Sequence, residues 1–215
     1  MAKPVIIIGA GGHAKVLVDL LLASGSEIIG LTDVDASRHG TKLLGRLVLG
    51  TDDIIADHAV DDVELVVGVG STAPSNLRLS VYERYTKQGY TFHRCIHPSA
   101  IIGGEVEIQD GAQIMAGTVI QPGAQIGKNT IINTRASIDH DCQIGDHVHV
   151  APGATLGGTV TIGDGAHIGT GSSIIENIHI GKDAMIAAGA CVVKDVRDGL
   201  RVTGVPAQEQ NVKDV

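Results

Sequence analysis

The chain has 215 residues and a formal net charge of −8 at pH 7, without a basic cluster, so binding to nucleic acid or to an anionic membrane surface is not expected. Its three cysteines form an odd set without CxxC spacing, which argues against a disulfide framework or a zinc knuckle and is typical of the reducing cytoplasm. The first apolar run is about five residues long and no apolar stretch reaches eighteen, so neither a signal peptide nor a membrane span is predicted.

Residues 1–92 alternate predicted strands with predicted helices. Apolar runs predict strands at residues 5–8, 27–32 and 65–69, and helices are predicted at residues 15–23 and 76–88. This alternation predicts a small, Rossmann-like parallel sheet of α/β class, whose ligand would lie at the carboxyl ends of the strands.

A glycine-rich turn follows the first of these strands. Gly9, Gly11 and Ala14 fit the spacing GxGxx(G/A), and Asp33 follows the second strand as the acidic residue of a dinucleotide fingerprint. Glycine lets a ligand approach the backbone, and a helix N-terminus offers N–H groups to a phosphate. The domain has room for about one mononucleotide half. A tight turn without a ligand remains the alternative, and His13 is either a ligand contact or a capping side chain.

A six-residue repeat occupies most of the remaining chain. Every sixth residue from Ile96 to Val192 is Ile, Val or Leu, and the residue four places later is mostly small. A period of six does not fit a helix, whereas short strands with both positions inward predict a β-solenoid with eighteen residues per coil. We expect the solenoid at residues 93–198 and a capping tail at 199–215. Glycines directly after the aliphatic position, such as Gly157 and Gly163, are interpreted as permissive backbone for tight corners.

Histidines concentrate in one part of the repeat, at His140, His147, His149 and His167. The phase of the repeat places His140 outside the prism, next to Asp141, and stacks His149 on His167 eighteen residues later. A histidine beside a carboxylate suits general-base chemistry near neutral pH. Solvated surface histidines are the alternative for each position. Cys142 falls on an inward position, which argues against a nucleophilic role.

Zinc ligation is a second interpretation of the same histidines. γ-Class carbonic anhydrases share the solenoid and gather three histidines across a subunit boundary, where three imidazoles and a water form a catalytic zinc site. The preceding sheet domain argues against this interpretation, because a carbonic anhydrase has no use for it.

Five segments together resemble the NeuD/PglD family of hexapeptide-repeat sugar acetyltransferases. They are the loop at residues 9–15, the acidic turn at 33–35, the junction at 95–100, the histidine segment at 133–154 and the GVPA tail at 204–207. The resemblance covers essentially the whole chain and implies a left-handed parallel β-helix. It also implies acetylation of nucleotide-linked amino sugars for bacterial surface glycans such as O-antigen, with the GDP-perosamine N-acetyltransferases most similar.

The resemblance implies a role for each motif. His140 would be the base that removes the amine proton, Asp141 would hold it, and the N–H of Gly158 would bind the thioester oxygen. The co-substrate acetyl-coenzyme A would contact His149, Gly158, Gly204 and Pro206. The nucleotide-sugar contacts would be Gly11, Gly12, His13, Asp33, Asp35 and Gly70. Several relatives carry Glu where Asp141 stands, and the shorter arm alters how the imidazole is held.

The family also implies a homotrimer with active sites between subunits, and no metal is expected. Three other functions remain open: an O-acetyltransferase acting on a sialic-acid-like sugar, a γ-type zinc hydratase, and a non-catalytic scaffold that binds a nucleotide sugar.

Overall fold

The computed structural model describes residues 3–71 and 76–210. The chain divides into two compact units, Met1–Pro98 and Ser99–Val215. Neither helix in the described residues has the length and apolarity that crossing a membrane requires.

The first unit is a parallel α/β sheet with one antiparallel edge strand. Its elements are β1 (Val5–Ile8), α1 (Gly12–Ala23), β2 (Ile28–Thr32), β3 (Lys42–Leu43), β4 (Arg46–Gly50), β5 (Glu64–Val67), α2 (Leu77–Lys87) and β6 (Cys95–Ile96), with 3-10 helices at Ala36–Arg38 and Asp52–Asp57. The strand order is β3-β4-β2-β1-β5, with β3 antiparallel to β4. The sequence pattern predicts β1, β2, β5 and both helices but not the β3–β4 hairpin, whose strands are short.

Strand β1 lies at the centre of this sheet. All four of its residues are buried, because β2 and β5 flank it and Ile6 and Ile8 pack in a buried cluster with Tyr82 and Tyr85 of α2, which explains its uninterrupted apolar sequence. Helix α1 begins at Gly12, three residues earlier than predicted, with Gly11 as its N-cap. His13 therefore lies in the first turn of the helix and not in the preceding loop.

The second unit is a prism with three faces of parallel two-residue strands. The first face holds β7 (Ile101–Ile102), β10 (Val119–Ile120), β13 (Ser137–Ile138), β16 (Thr155–Leu156), β19 (Ser173–Ile174) and β22 (Cys191–Val192). The second face holds β8 (Glu107–Ile108), β11 (Gln125–Ile126), β14 (Gln143–Ile144), β17 (Thr161–Ile162) and β20 (His179–Ile180). The third face includes β9 (Gln113–Ile114), β12 (Ile131–Ile132), β15 (His149–Val150), β18 (His167–Ile168) and β21 (Met185–Ile186).

The pairing register confirms the predicted coil of eighteen residues. Ile120 pairs with Ile138 and Ile138 with Leu156, and the same step relates the strands of the other two faces. From Ile114 to Val192 every aliphatic residue of the six-residue step is buried, as is every small residue four places later. The unit is therefore a parallel β-helix of hexapeptide repeats, consistent with the left-handed form that the family resemblance implies.

Each hexad turns through one residue in the left-handed region. This position recurs every six residues from Glu105 to Gly189; Gly often fills it, and Asp141 occupies it with φ 58°. Gly157 and Gly163, which follow the aliphatic position, do not have a positive φ. A Cβ atom on Gly157 would lie 2.7 Å from the backbone nitrogen of Glu176, and one on Gly163 equally close to that of Lys182. These glycines permit close packing between coils, so their predicted role at tight corners was wrong.

The tail adds two strands to the third face at the end of the prism. Strand β23 (Arg201–Thr203) pairs parallel to β21, and β24 (Gln208–Gln210) pairs antiparallel to β23. Between them, Gly204 accepts a hydrogen bond from the N–H of Cys191, whose carbonyl accepts one from Ala207. The edge of the last coil is thereby paired and not left open.

Candidate active site

His140 and Asp141 form an exposed pair at the corner between the first and second faces, in the turn that joins β13 to β14. Nδ1 of His140 lies 2.9 Å from Oδ2 of Asp141, and the two side chains are 58% and 65% exposed. Each end of the turn is anchored, because Asp141 donates its N–H to the carbonyl of Pro122 and the carbonyl of His140 accepts from Thr159. The phase of the repeat thus predicted correctly that His140 projects from the prism.

The surroundings of His140 favour its protonated form. The hydrogen bond to Asp141, aided by the negative charges of Asp139 and Asp141, raises the pKa of the imidazole above its ordinary value. Asp139 does not reach the ring, since its Oδ1 accepts the backbone N–H of His140 at 2.7 Å. When Nδ1 carries the proton shared with Asp141, Nε2 is left unprotonated and can act as a base.

Gly158 lies against the imidazole from the next coil. A Cβ atom at this position would lie 2.5 Å from Nε2 and 2.7 Å from Cε1 of His140. Among the described residues, no acceptor is present for the N–H of Gly158, although the residue is buried. A buried N–H without an acceptor beside a base is suited to binding a developing oxyanion.

Cys142 points into the prism. Its side chain is fully buried, its Sγ lies 3.2 Å from the carbonyl oxygen of Gly157, and burial raises the pKa of the thiol. A thiol that resists ionisation and lacks access to solvent is unsuited to nucleophilic attack. The inward position read from the repeat is confirmed.

His149 lies on the third face, away from the corner that carries His140. Its Nε2 is 3.1 Å from Nδ2 of Asn133, and its ring meets the ring of His167 edge-to-face with centroids 4.9 Å apart. Burial lowers the pKa of His167. One chain therefore does not bring His149 and His140 together. Among the described residues, no group of three or more His, Cys, Asp or Glu side chains is arranged to hold a metal ion.

A cavity of about 530 Å³ opens at the carboxyl ends of β1, β2 and β5. In the sheet, β1 lies between β2 and β5, so the strands that follow it along the chain are added on opposite sides. The cavity lies at this point of reversal in strand order, which is the usual ligand position in such sheets. Five of the predicted nucleotide-sugar residues line it, namely Gly11, Gly12, His13, Asp33 and Gly70. A Cβ atom on Gly11 or Gly12 would meet nothing within 4 Å, so both glycines border open space.

Asp33 and Asp35 differ in their relation to this cavity. Asp33 accepts the N–H of Ala10 at 2.8 Å through one oxygen and that of Asp35 at 2.9 Å through the other, so it shapes the glycine loop as well as lining the cavity. Asp35 is not among the described residues that line the cavity. Its carboxylate caps the 3-10 helix at Ser37, and this hydrogen bond lowers its pKa.

Helix α2 also lines the cavity, which the sequence pattern did not predict. Ser80, Val81 and Arg84 line the cavity from this helix, and Arg84 supplies a positive charge to a lining that also includes the carboxylates of Asp33 and Asp52. The buried guanidinium of Arg78 donates to the carbonyls of Val67 and Val69, so it fixes the chain that follows β5. Burial lowers the pKa of Arg78 to about 9. No sequence motif marks these residues, although their helical spacing places them on one face.

An exposed apolar ladder lies on the coils that follow His140. Ile175 and Val193 are 41% and 38% exposed, and they follow the paired strands β19 and β22 of the first face. The hydrogen bonds of Cys191 place Gly204 at the end of the same face, with exposed Val205 and Pro206 next to it. From Ser137 to Cys191 this face spans three coil steps, or about 14 Å. Such a ladder suits the apolar part of an extended ligand.

A β-helix of hexapeptide repeats that carries an exposed histidine–carboxylate pair defines the class of hexapeptide-repeat acyltransferases. Comparison with known families agrees with this class. The PglD N-terminal domain matches residues 4–85, and the bacterial transferase hexapeptide (six repeats) matches residues 123–158.

Solved structures are similar over nearly the whole chain. GDP-perosamine N-acetyltransferase from Caulobacter crescentus, solved as a histidine variant with CoA and GDP-perosamine, is 34% identical, with 98% of each chain covered and a TM-score of 0.90. The acetyltransferase domain of PglB from Neisseria gonorrhoeae, in complex with acetyl coenzyme A, is 32% identical over 98% of this chain and 100% of that one, with a TM-score of 0.89. WeeI from Acinetobacter baumannii is 30% identical over 97% and 100%, with a TM-score of 0.85. The chain belongs to the PglD family of hexapeptide-repeat sugar acetyltransferases.

Proposed function

We propose that this protein transfers the acetyl group of acetyl-coenzyme A to the 4-amino group of a nucleotide-linked 4-amino-4,6-dideoxy sugar, GDP-perosamine or a UDP-linked analogue. The observation that carries the proposal is the exposed His140–Asp141 pair with the Gly158 N–H beside it. A solved relative that binds CoA and GDP-perosamine supports the choice of substrates.

The reaction is a direct transfer. The amine nitrogen attacks the thioester carbonyl carbon while Nε2 of His140 takes one amine proton, and the carbonyl oxygen becomes an oxyanion next to the N–H of Gly158. The carbon–sulfur bond then breaks, and the coenzyme A thiolate leaves and receives the proton from His140. The products are an amide and a free thiol, so no metal or redox partner is needed.

The two ligands are assigned to different parts of the chain. The nucleotide would occupy the cavity at residues Gly11, Gly12, His13, Asp33 and Gly70, where the N-terminus of α1 and the side chain of Arg84 supply positive potential for phosphates. Asp35 would act through the turn that it caps. Acetyl-coenzyme A would lie along the apolar ladder towards Gly204 and Pro206, with its thioester near Gly158.

A homotrimer is part of this proposal. His140 and His149 lie on different sides of one prism, so His149 can face the thioester only if a neighbouring subunit supplies it. Co-expression of subunits carrying His140→Asn with subunits carrying His149→Ala tests the arrangement. Restored turnover in mixed trimers, with each variant inactive alone, supports shared sites. Inactive mixed trimers would contradict them.

The identity of the acceptor is tested with a panel of GDP- and UDP-linked sugars. Some of these sugars carry a 4-amino group, and the others carry hydroxyl groups only. Thiol release from acetyl-coenzyme A is measured, and the product is identified by mass spectrometry. Amide formation on 4-amino sugars supports the proposal. Reaction of hydroxyl acceptors alone would show an O-acetyltransferase instead, and one zinc per subunit required for turnover would show a zinc enzyme.

A further inference from the structure

Gly123 lies one coil before Asp141, at the same turn position of the repeat. Both residues have left-handed backbones, with φ 76° at Gly123 and 58° at Asp141. Their turns are locked to the preceding coil in the same way, because Gly123 donates its N–H to Gly104 and Asp141 donates to Pro122, each at 3.1 Å. The backbone beneath the Asp141 side chain is therefore fixed.

The Asp141 carboxylate occupies the space that a side chain at position 123 would fill. A Cβ atom on Gly123 would lie 2.5 Å from Oδ1 of Asp141 and 3.5 Å from its Cγ. The other oxygen of this carboxylate, Oδ2, is the atom 2.9 Å from Nδ1 of His140. Because a carboxylate is planar, displacing Oδ1 moves Oδ2 as well and disturbs the hydrogen bond to the imidazole.

We propose that Gly123 is a positioning residue for the base of the proposed reaction: it lacks a side chain so that Asp141 can hold the His140 imidazole with Nε2 free. This inference rests on the proposed function. Gly123 would act through Asp141, because the atoms nearest to a Cβ at position 123 belong to Asp141 and not to His140.

The charges around His140 determine how its pKa responds if the carboxylate moves. Asp141 is the acid hydrogen-bonded to the ring, and Asp139, the other acid that acts on it, uses Oδ1 to accept the backbone N–H of His140. Displacing Asp141 leaves the ring with the weaker effect of Asp139. We therefore expect the pKa of His140 to fall towards its ordinary value and its tautomer to become less defined.

Gly165 offers a matched control at a different corner of the prism. Its φ is 73°, and a Cβ atom there would clash with Oδ1 of Asp183, eighteen residues later. A Cβ atom on Gly123 would clash with Asp141 in the same way. Asp183 also has a left-handed backbone and donates its N–H to Asp164. The substitution Gly165→Ala therefore imposes a comparable backbone strain and an at least equal displacement of a carboxylate, at a corner that does not carry His140.

The test compares Gly123→Ala, Gly165→Ala, Asp141→Ala and the double variant Gly123→Ala/Asp141→Ala. The pKa of His140 is measured by NMR titration of labelled histidine rings, assigned with His140→Asn, and kcat and KM are measured for both substrates. We expect Gly123→Ala to lower the His140 pKa towards that of Asp141→Ala and to reduce kcat about tenfold with both KM values unchanged. We expect Gly165→Ala to change neither, and the double variant to equal Asp141→Ala.

An unchanged His140 pKa and kcat in Gly123→Ala would overturn the inference, as would a further loss in the double variant. If Gly123→Ala does not fold while Gly165→Ala does, Gly123→Asn and Gly165→Asn repeat the comparison, because Asn129 and Asn177 already adopt this backbone in the chain. The titration needs no substrate. Wild-type protein that acetylates no amino sugar therefore refutes the proposed function, while the titration still decides the role of Gly123.

Discussion

Gly158 and His140 are packed so closely that the glycine could carry no side chain without moving the imidazole, since a Cβ atom would lie 2.5 Å from Nε2. The contact joins consecutive coils, so the eighteen-residue register that builds the prism also brings Gly158 to the imidazole of His140. The same residue thus leaves room for the imidazole and presents a backbone donor beside it.

Substituting Gly158→Ala is expected to reduce kcat about a hundredfold, because the methyl group displaces the imidazole from the N–H that would bind the oxyanion. Thiol release at saturating substrates measures the effect. Gly104 is a matched control at the equivalent position of an earlier coil, in the same stack of turns, and a Cβ atom there would meet nothing within 4 Å. Equal losses in Gly104→Ala and Gly158→Ala would show a general effect on folding.

The pH dependence of kcat/KM should show the effect of the Asp141 carboxylate on the pKa of His140. The neutral imidazole is the active form, so activity rises as pH increases through the pKa of His140, which the hydrogen bond to Asp141 raises. In Asp141→Asn the acidic limb should therefore move to lower pH, with lower maximal activity. The amine of the sugar titrates identically with both proteins, so only the difference between their profiles matters. An acidic limb that does not move would argue against this pair.

Cys142→Ala is expected to leave kcat within about a factor of two, because the thiol is buried and does not take part in a direct transfer. Loss of its packing should lower the free energy of unfolding by about 1 kcal/mol, measured by urea denaturation. An acetylated enzyme trapped by rapid quenching in the wild type, and absent from the variant, would show a covalent mechanism instead.

Arg84→Ala is expected to raise KM for the nucleotide sugar about tenfold, since it removes the positive charge that α2 presents to the cavity. KM for acetyl-coenzyme A should not change. Lys87 lies on the same helix, paired with Glu83 and outside the residues that line the cavity, so Lys87→Ala is the control. An equal change in the two KM values for Arg84→Ala would argue against a nucleotide in this cavity.

Most of the prism and the exposed position of His140 could be predicted, because a six-residue period assigns an inward or outward phase to every residue. That phase alone identifies His140 as exposed and Cys142 as buried. The period also places residues eighteen apart in adjacent coils, as it does for His149 and His167, but it does not show which atoms of such residues meet. The packing of Gly158 on His140, and the space that Gly123 leaves for Asp141, depend on the directions that the side chains take in the turns.

The cavity of the first unit was harder to predict. The glycine loop and Asp33 carry a recognisable spacing, whereas Arg84 and Ser80 reach the cavity only because α2 packs beside β5. Asp35 lies in the same acidic turn as Asp33, yet its carboxylate accepts hydrogen bonds from Ser37. Spacing alone does not distinguish an acid that lines a cavity from one that caps a helix.

The most direct test of the proposed function is the turnover of His140→Asn against wild type, at saturating acetyl-coenzyme A and with the best 4-amino sugar nucleotide. Removing the base should lower kcat between about a hundredfold and ten-thousandfold while the variant still binds both substrates. Turnover within a few-fold of wild type would contradict a role for His140 in removing the amine proton.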